Sequence, residues 1–412
     1  KFDFRKDLEK INCPVLWLAG RWDPLHPWQG GRDSAALIDD DICTFKLLET
    51  GDPVNLDNPK DFQETVKDFL AQTCLKRQLP LLSAKTQTYL DGFKDLLKTP
   101  FDITLSIAAY REAAAGFKQM ASEVEEGVKI FKQSLPLGQN GALLESKVFI
   151  PVAADDTALL PTVIFFPGGG FIANLDCHDC PCSKISKHAQ VRVIQVYCRL
   201  APEFPYPYGQ NDAISAVSYF FDNAHKYGID RQGFFIAGDS SGGTFAAQTA
   251  LCLRDTRKDI LLKAVFLINP TTDFSLQFAG DDAKDSLKEA DFAKLDCAQH
   301  GLLPYLFGLY LTANKKAPYW GIDNDRDQKK AMKASPLYAK SHQDLPPHYI
   351  WVAEFDMLRR HAGAYYRRLK QAGVMANIFV GKGQVHAYFM ARGVLDDGPD
   401  PAIEIANIIA HS

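Results

Sequence analysis

Three features that would assign this chain to a specialised class of protein are missing from its sequence. No uninterrupted run of about 18 apolar residues occurs, so the sequence offers no transmembrane helix. The net charge is −4 and basic residues are scattered as pairs such as Arg359-Arg360, which argues against nucleic acid as a partner. The chain opens at Lys1 without Met and without the pattern of a secretory signal, so we expect an incomplete start. We expect a cytoplasmic protein, with a targeting signal before Lys1 left open.

The cysteine pattern also lacks what a disulfide framework or a zinc site requires. Nine cysteines, an odd number in an enzyme-sized chain, indicate a reducing compartment and free thiols. The run Cys177-His178-Asp179-Cys180-Pro181-Cys182 has ligand-type residues, but no second C-x-x-C pair follows it to complete four ligands. We therefore expect no metal and no cofactor, and we interpret the run as thiols on a loop and helix start.

What the sequence does contain is an alternation of strand-length apolar runs and longer helical patterns. Its apolar fraction of 46% and charged fraction of 23% are ordinary for a globular protein. The alternation predicts a mostly parallel sheet with helices on both faces. The predicted strands are 146–152, 162–167, 191–197, 233–238, 264–269, 349–353 and 376–380.

Helical patterns surround these strands and extend beyond them. Residues 210–227 and 242–257 have apolar residues at helical spacing. Residues 81–133 are interpreted as helical and precede the first of these strands. Residues 271–334 lose strand character and are interpreted as a helical, charged insertion. Together the last two segments predict a helical cap that contributes substrate contacts.

A serine in a glycine-flanked turn is the strongest chemical signal. The run Gly238-Asp239-Ser240-Ser241-Gly242 matches G-x-S-x-G, in which a strained turn between strand and helix exposes a nucleophilic serine. A strand is predicted before it and a helix after it, which is the context that the motif requires. Alone, the match would equally describe a glycine-rich turn, but this context favours Ser240 as a nucleophile.

A second glycine-rich segment follows a predicted strand. In Pro167-Gly168-Gly169-Gly170-Phe171 consecutive glycines can direct backbone N–H groups at a ligand. The segment lacks the G-x-x-x-x-G-K-[ST] pattern of a phosphate-binding loop. We therefore predict an oxyanion hole here and not a nucleotide site, although a flexible turn is the simpler alternative.

The motifs together resemble the hormone-sensitive-lipase-like family of α/β hydrolases, which carries H-G-G-G and G-D-S-A-G-G motifs separated by a segment similar to Y-R-L-A-P-E. The resemblance covers about residues 81–412, and the third segment is matched by Arg199-Leu200-Ala201-Pro202-Glu203. It implies a carboxylesterase of the α/β-hydrolase fold. Pro167 departs from the family, which has histidine at that position.

Transferred residue by residue, the resemblance implies a complete set of site residues. Ser240 would be the nucleophile, with Asp356 as the acid and His386 as the base, in the chain order of α/β hydrolases. The oxyanion would be bound by the backbone N–H groups of Gly169, Gly170 and Ser241. The neighbouring residues expected to contact substrate are Gly168, Phe171 and Asp239. Independently of the family, Asp356 and His386 each follow a predicted strand, at the sheet edge where ligands bind.

The sequence pattern of residues 1–78 indicates a separate segment. Predicted strands at 11–20 and 43–48 and a helix at 59–71 resemble the closing third of another α/β hydrolase. An acid position is present at Asp23, but Asp52 occupies the position of the histidine and no serine turn precedes it. We therefore predict a non-catalytic segment at 1–78 and a catalytic domain at 79–412.

The sequence-based hypothesis is a serine esterase that acts on a small acyl ester, with no nucleic acid partner. An amidase or deacetylase with the same triad remains an alternative, as does a homologue that binds a small molecule without cleaving it. The acyl length stays open, and a homodimer is compatible with the sequence.

Overall fold

The computed structural model divides into two units, Lys1–Leu81 and Leu82–Ser412. The structure describes, in the first unit, residues 15–21, 29, 35, 43–48 and 59–76, and in the second unit residues 82–92, 107–136, 143–154, 158–275, 302–312 and 325–412.

The described part of the first unit contains two strands and a helix. Strand β1 (Val15–Gly20) pairs in parallel with β2 (Cys43–Leu48), with Val15 opposite Cys43, and helix α1 (Pro59–Lys76) follows. These elements come in the predicted order, and the helix runs five residues beyond its predicted end. Asp23 and Asp52 lie outside the described residues.

An eight-stranded sheet forms the centre of the second unit. Its strands are β3 (Val128–Leu135), β4 (Leu144–Pro151), β5 (Leu160–Phe166), β6 (Arg192–Val196), β7 (Ile229–Asp239), β8 (Val265–Ile268), β9 (His348–Phe355) and β10 (Ala376–Val385). They lie in the order β10-β9-β8-β7-β5-β6-β4-β3. All neighbours from β10 to β6 are parallel, and only β4 and β3 are antiparallel. The mostly parallel sheet is confirmed.

Helices cover both faces of this sheet, as predicted. They are α2 (Ala84–Gly92), α3 (Ile107–Ala115), α4 (Asp179–Ala189), α5 (Tyr208–Asp222), α6 (Ser241–Thr256), α7 (Leu302–Thr312), α8 (Asp325–Ala334), α9 (Arg359–Gln371) and α10 (Pro401–Ala410). Successive residues of a strand point to opposite faces. In β5, Ile164 and Phe166 accordingly join one buried apolar cluster while Val163 and Phe165 join the other. A sheet buried on both faces explains why its strands read as continuous apolar runs.

The helical prediction for residues 81–133 is wrong at its end. Helices α2 and α3 and a 3-10 turn at Gly116–Met120 occupy the described start of the segment, but strand β3 begins at Val128. At the start of β3 the half-buried Val128 and Ile130 alternate with the exposed Lys129 and Phe131, which is the period of a strand with one face on the core. The change from helical spacing to strand alternation near Val128 was not recognised when the whole segment was predicted as helical.

The predicted insertion at 271–334 is partly described. Residues 271–275 are buried in the core, and helices α7 and α8 form its later part. Residues 276–301 and 313–324 lie outside the described residues. Within the part of the chain that the structure describes, no helix combines the length and the apolar character needed to cross a membrane.

Candidate active site

Ser240 occupies a sharp turn between strand β7 and helix α6. Its φ of 51° and ψ of −118° are strained for a residue that carries a side chain. The turn is held because Ser240 N–H donates to Ile268 O at 2.8 Å on the neighbouring strand. Close packing also requires Gly242, where an added Cβ would lie 1.9 Å from Phe166 O. The half-buried serine is thereby presented at the carboxyl end of the sheet.

His386 and Asp356 lie in line with the serine hydroxyl. His386 Nε2 is 3.0 Å from Ser240 Oγ, and its Nδ1 is 2.7 Å from Asp356 Oδ2. The carboxylate is 1% exposed, and its Oδ1 accepts the Leu358 N–H at 2.8 Å. Because a carboxylate only accepts, His386 Nδ1 must carry the proton, which leaves the Nε2 lone pair facing the serine. The structure therefore brings the three predicted residues together.

The surroundings of His386 shift its proton affinity. Burial by itself lowers the pKa of the imidazole, but the charge of Asp356, their hydrogen bond and the charge of Asp239 raise the pKa of His386 above its ordinary 6.5. A third of the side chain is accessible, and the ring lines a cavity. The arrangement stabilises a positive charge on the ring.

The glycine loop after β5 presents free backbone donors beside the serine. Among the described residues, the N–H groups of Gly169, Gly170 and Ser241 donate to no acceptor. The Gly169 carbonyl is occupied, since it accepts the N–H groups of Ile172 and Ala173. The loop needs glycine at 169, where φ is 145° and an added Cβ would lie 1.9 Å from Ala173 O. Pro167 precedes this turn without interrupting it.

Gly168 and Asp239 lie behind the loop, which differs from the substrate contact expected of them. Neither lines the cavity, and Asp239 is 2% exposed. The Gly168 N–H donates to Asp239 Oδ1 at 2.7 Å. Both residues therefore support the loop. Phe171 does line the cavity, and its ring stacks on Tyr310 of α7 with centroids 4.0 Å apart.

A cavity of about 510 Å³ opens over the serine. Ser240, Asp356 and His386 line its floor together with Gly169 and Gly170. Its walls are mostly apolar and come from the described parts of both predicted cap segments, through residues such as Leu90, Ala114, Phe117, Met120, Leu306 and Phe307. Among the described lining residues, charged groups occur only in the triad. The cavity therefore suits an uncharged ligand.

The Arg199-to-Glu203 segment is structural, although its two charged residues do not pair with each other. Arg199 binds Asp212 of α5 through a bidentate contact, with the shortest distance at 2.6 Å. Glu203 instead binds Arg111 of α3 at 2.7 Å, and Arg111 also donates to Ile172 O. The segment thus connects a cap helix to the loop that carries the glycines.

The cysteine-rich run forms a buried turn and the start of α4. Cys177, Cys180 and Cys182 are buried and carry free thiols. No group of three metal-ligating side chains occurs among the described residues. His178, however, lies 2.9 Å from Asp239.

Three contributors to the site were missed at the sequence level. His178 contacts the loop support, and Asn269 donates through Nδ2 to His386 O at 2.8 Å. The third is Tyr110 of α3, which lines the cavity. Its hydroxyl lies close to Gly170, since a Cβ added to Gly170 would be 3.1 Å from Tyr110 Oη. Only Asn269 carried a signal, because it is the last residue of the predicted strand 264–269, at the same sheet edge as the nucleophile.

Comparison with known proteins gives consistent matches to hydrolases. A family model described as alpha/beta hydrolase fold matches residues 163–390. Esterase LipI of Mycobacterium tuberculosis is 30% identical over 252 residues, which cover 61% of this chain and 72% of LipI. An arylesterase of Saccharolobus solfataricus is 29% identical over 248 residues, 60% of this chain and 72% of its own.

Solved structures agree with these sequence matches. A hyperthermophilic esterase from the archaeon Pyrobaculum calidifontis is 25% identical and superposes with a TM-score of 0.64, covering 80% of this chain and 98% of its own.

Proposed function

Because this chain belongs to the hormone-sensitive-lipase-like family of α/β hydrolases and is a carboxylic ester hydrolase, we propose that it cleaves small acyl esters through an acyl-enzyme on Ser240. The observation that carries the proposal is the position of the His386 ring, 3.0 Å from the serine hydroxyl and 2.7 Å from a buried carboxylate. Packing alone would not require these three side chains to lie in line on the floor of the cavity.

Acylation begins when Ser240 Oγ attacks the ester carbonyl carbon. His386 Nε2 takes the hydroxyl proton, and Asp356 holds the ring in the required tautomer and stabilises the imidazolium. The carbonyl oxygen becomes negatively charged and accepts hydrogen bonds from the N–H groups of Gly169, Gly170 and Ser241. When the carbon–oxygen bond to the alcohol breaks, His386 returns the proton to the leaving oxygen.

Deacylation repeats the same steps with water. His386 takes a proton from the water as its oxygen attacks the acyl carbon, and the same N–H groups stabilise the second oxyanion. The bond to Ser240 Oγ breaks, and the proton on His386 returns to the serine. The products are a carboxylic acid and an alcohol, and the enzyme is regenerated.

Replacement of the nucleophile tests the proposal. Ser240→Ala is expected to abolish turnover of p-nitrophenyl acyl esters, because the remaining groups have no covalent acceptor for the acyl chain. Ser341→Ala removes an exposed hydroxyl outside the cavity and serves as the matched control with unchanged turnover. Circular dichroism confirms that both variants are folded. Turnover by folded Ser240→Ala at the rate of the control would contradict the assignment.

The substrate panel also separates the alternatives. Neutral esters of graded chain length are expected to be hydrolysed, whereas esters with a charged acyl group are expected to be poor because the walls offer no counter-charge. A matched amide series tests the amidase hypothesis. Binding of esters without release of alcohol would instead favour the binding-protein hypothesis.

A further inference from the structure

His178 is a fully buried histidine that the mechanism above does not use. It ends the 3-10 turn Asp176–His178, between the glycine loop and α4, and is 0% exposed. Its ring packs near those of Phe165 and Phe389, with centroids 5.7 and 6.5 Å away. It does not line the cavity, so it cannot touch a substrate there.

The partners of the ring determine its protonation. His178 Nδ1 is 3.1 Å from Leu175 O, and a carbonyl only accepts, so Nδ1 carries a proton. Its Nε2 is 2.9 Å from Asp239 Oδ1, in an ion pair that is not a linear hydrogen bond. A neutral ring would place the Nε2 lone pair against a carboxylate. The contact therefore requires protons on both nitrogens, which makes His178 a buried cation.

Asp239 connects this cation to the glycine loop. The carboxylate oxygen that faces His178 also accepts the Gly168 N–H, at 2.7 Å. Contact is so close that a Cβ on Gly168 would lie 2.6 Å from Asp239 Oδ2. A buried carboxylate that loses its cation must move towards other donors or take up a proton. Either response would release Gly168 and shift the donors at Gly169 and Gly170.

A second buried histidine provides the contrast. His348 is also 0% exposed, and its Nδ1 lies 2.7 Å from Pro346 O. No ion pair to a carboxylate is found for it among the described residues, and burial lowers the pKa of His348 to about 4. For His178, burial again lowers the pKa, but Asp239 and the nearby Cys177 outweigh burial and raise it well above 6.5. The two sites differ in the carboxylate that faces Nε2.

We propose that His178 is a positioning residue of the oxyanion loop: as a buried imidazolium it fixes Asp239, which holds Gly168 and thereby orients the N–H groups that stabilise the oxyanion. The proposal rests on the proposed function, because it assigns a supporting role in the same reaction. Its direct consequence is a defect in transition-state stabilisation when the cation is lost.

Two neutral replacements separate this role from simple packing. The His178→Asn amide occupies the position of Nδ1 and reaches only Leu175 O, whereas the His178→Gln amide reaches the position of Nε2 and can still donate to Asp239. His178→Asn is expected to lower kcat about 100-fold with little change in KM, as for donors misplaced by about 1 Å. His178→Gln is expected to recover part of this loss. His348→Gln is the matched control, which loses stability but keeps kcat.

Affinity for an alkyl trifluoromethyl ketone provides the second readout, because its adduct with serine carries an oxyanion. Affinity should fall in His178→Asn in proportion to kcat/KM and stay unchanged in His348→Gln. The proposal is overturned if folded His178→Asn keeps the kcat and ketone affinity of the parent protein. An inactive parent protein would instead count against the proposed function.

The protonation state is measured on the parent protein, so a variant that does not fold leaves the test intact. At about pH 7.5 an ordinary histidine is neutral and has one ring N–H. With ¹⁵N-labelled histidine, His178 is expected to show two ring N–H resonances, assigned through nuclear Overhauser contacts to Phe165 and Phe389. A single N–H resonance from His178 would overturn the proposal even if the enzyme is active.

Discussion

At the residue scale, the proposed reaction depends on one strained serine and on the proton of one histidine. The φ of 51° at Ser240 is tolerated because three hydrogen bonds fix the turn: its N–H binds Ile268 O, and its carbonyl accepts from Gly243 and Thr271. That geometry presents the hydroxyl to His386 Nε2. Whether the hydroxyl can be deprotonated is then decided by the charge state of His386.

The pH dependence of activity follows from the raised pKa of His386. Only the neutral ring can accept the serine proton, so kcat/KM should fall as pH drops through a midpoint above 6.5. The pH dependence of stability has the opposite direction to that of activity. Because the pKa of His386 is raised in the folded state, protonation of its ring stabilises the folded state fully below pH 6.5, and this contribution is lost as pH rises through the folded-state pKa. A pH–rate profile measures the midpoint, and a value at or below 6.5 would contradict the geometry.

Asp356→Asn is the complementary variant. Without the carboxylate, the tautomer with Nδ1 protonated is no longer enforced, and kcat should fall by about 10⁴-fold while the protein stays folded. Steady-state kinetics of the purified variant measures this loss, with Ser341→Ala as the control. A variant with undiminished kcat would exclude Asp356 from the triad.

At the scale of elements, Asn269 links three strands to the catalytic loop. It follows β8, its Oδ1 accepts the Ala353 N–H of β9, and its Nδ2 donates to His386 O after β10, each at 2.8 Å. Its φ of 44° lies in the left-handed region, which asparagine tolerates better than alanine does. The residue therefore anchors the backbone at His386 to the ends of β8 and β9.

Asn269→Ala and Asn269→Gly form a matched pair. Both lose the two side-chain hydrogen bonds, but only alanine adds backbone strain, so Asn269→Ala should lower the free energy of unfolding by about 3 kcal/mol and Asn269→Gly by less. Both should lower kcat, because the His386 carbonyl loses its anchor. Urea unfolding and steady-state kinetics check the two effects. Parent-like values in both variants would contradict the role.

The parallel strands could be predicted because burial on both faces leaves continuous apolar runs with clear ends. Ser240, Asp356 and His386 follow such runs, so their sequence positions indicated a common sheet edge. Strand β3 was missed because it is an edge strand with a weak alternating pattern directly after helices. The position of Asn269 at a strand end carried a signal, but its hydrogen bond to the backbone of His386 joins residues 117 apart in the sequence and was not predictable. The ion pair of His178 with Asp239 likewise joins distant segments.

At the scale of the whole molecule, every described residue of the site belongs to the unit Leu82–Ser412. This unit contains the eight-stranded sheet and the cavity. It also contains the glycine loop and the His178–Asp239 ion pair. The first unit contributes β1, β2 and α1, and the triad residues lie outside it.

Deletion of Lys1–Leu81 tests this division. The remaining chain is expected to fold and to keep the kcat of the full chain on a short p-nitrophenyl ester, since it retains the site. Circular dichroism establishes folding, and parallel kinetics on the full-length protein provides the reference. A folded but inactive fragment would show that the first unit supplies something the site needs.

The central claim, that Ser240 is the activated nucleophile, is tested most directly by reaction with a fluorophosphonate followed by peptide mapping with mass spectrometry. Only an activated serine displaces fluoride, so a single adduct on Ser240 is predicted, absent in Ser240→Ala and formed much more slowly in His386→Gln. An adduct on another residue, or ester hydrolysis that continues after complete treatment with no adduct on Ser240, would contradict the account.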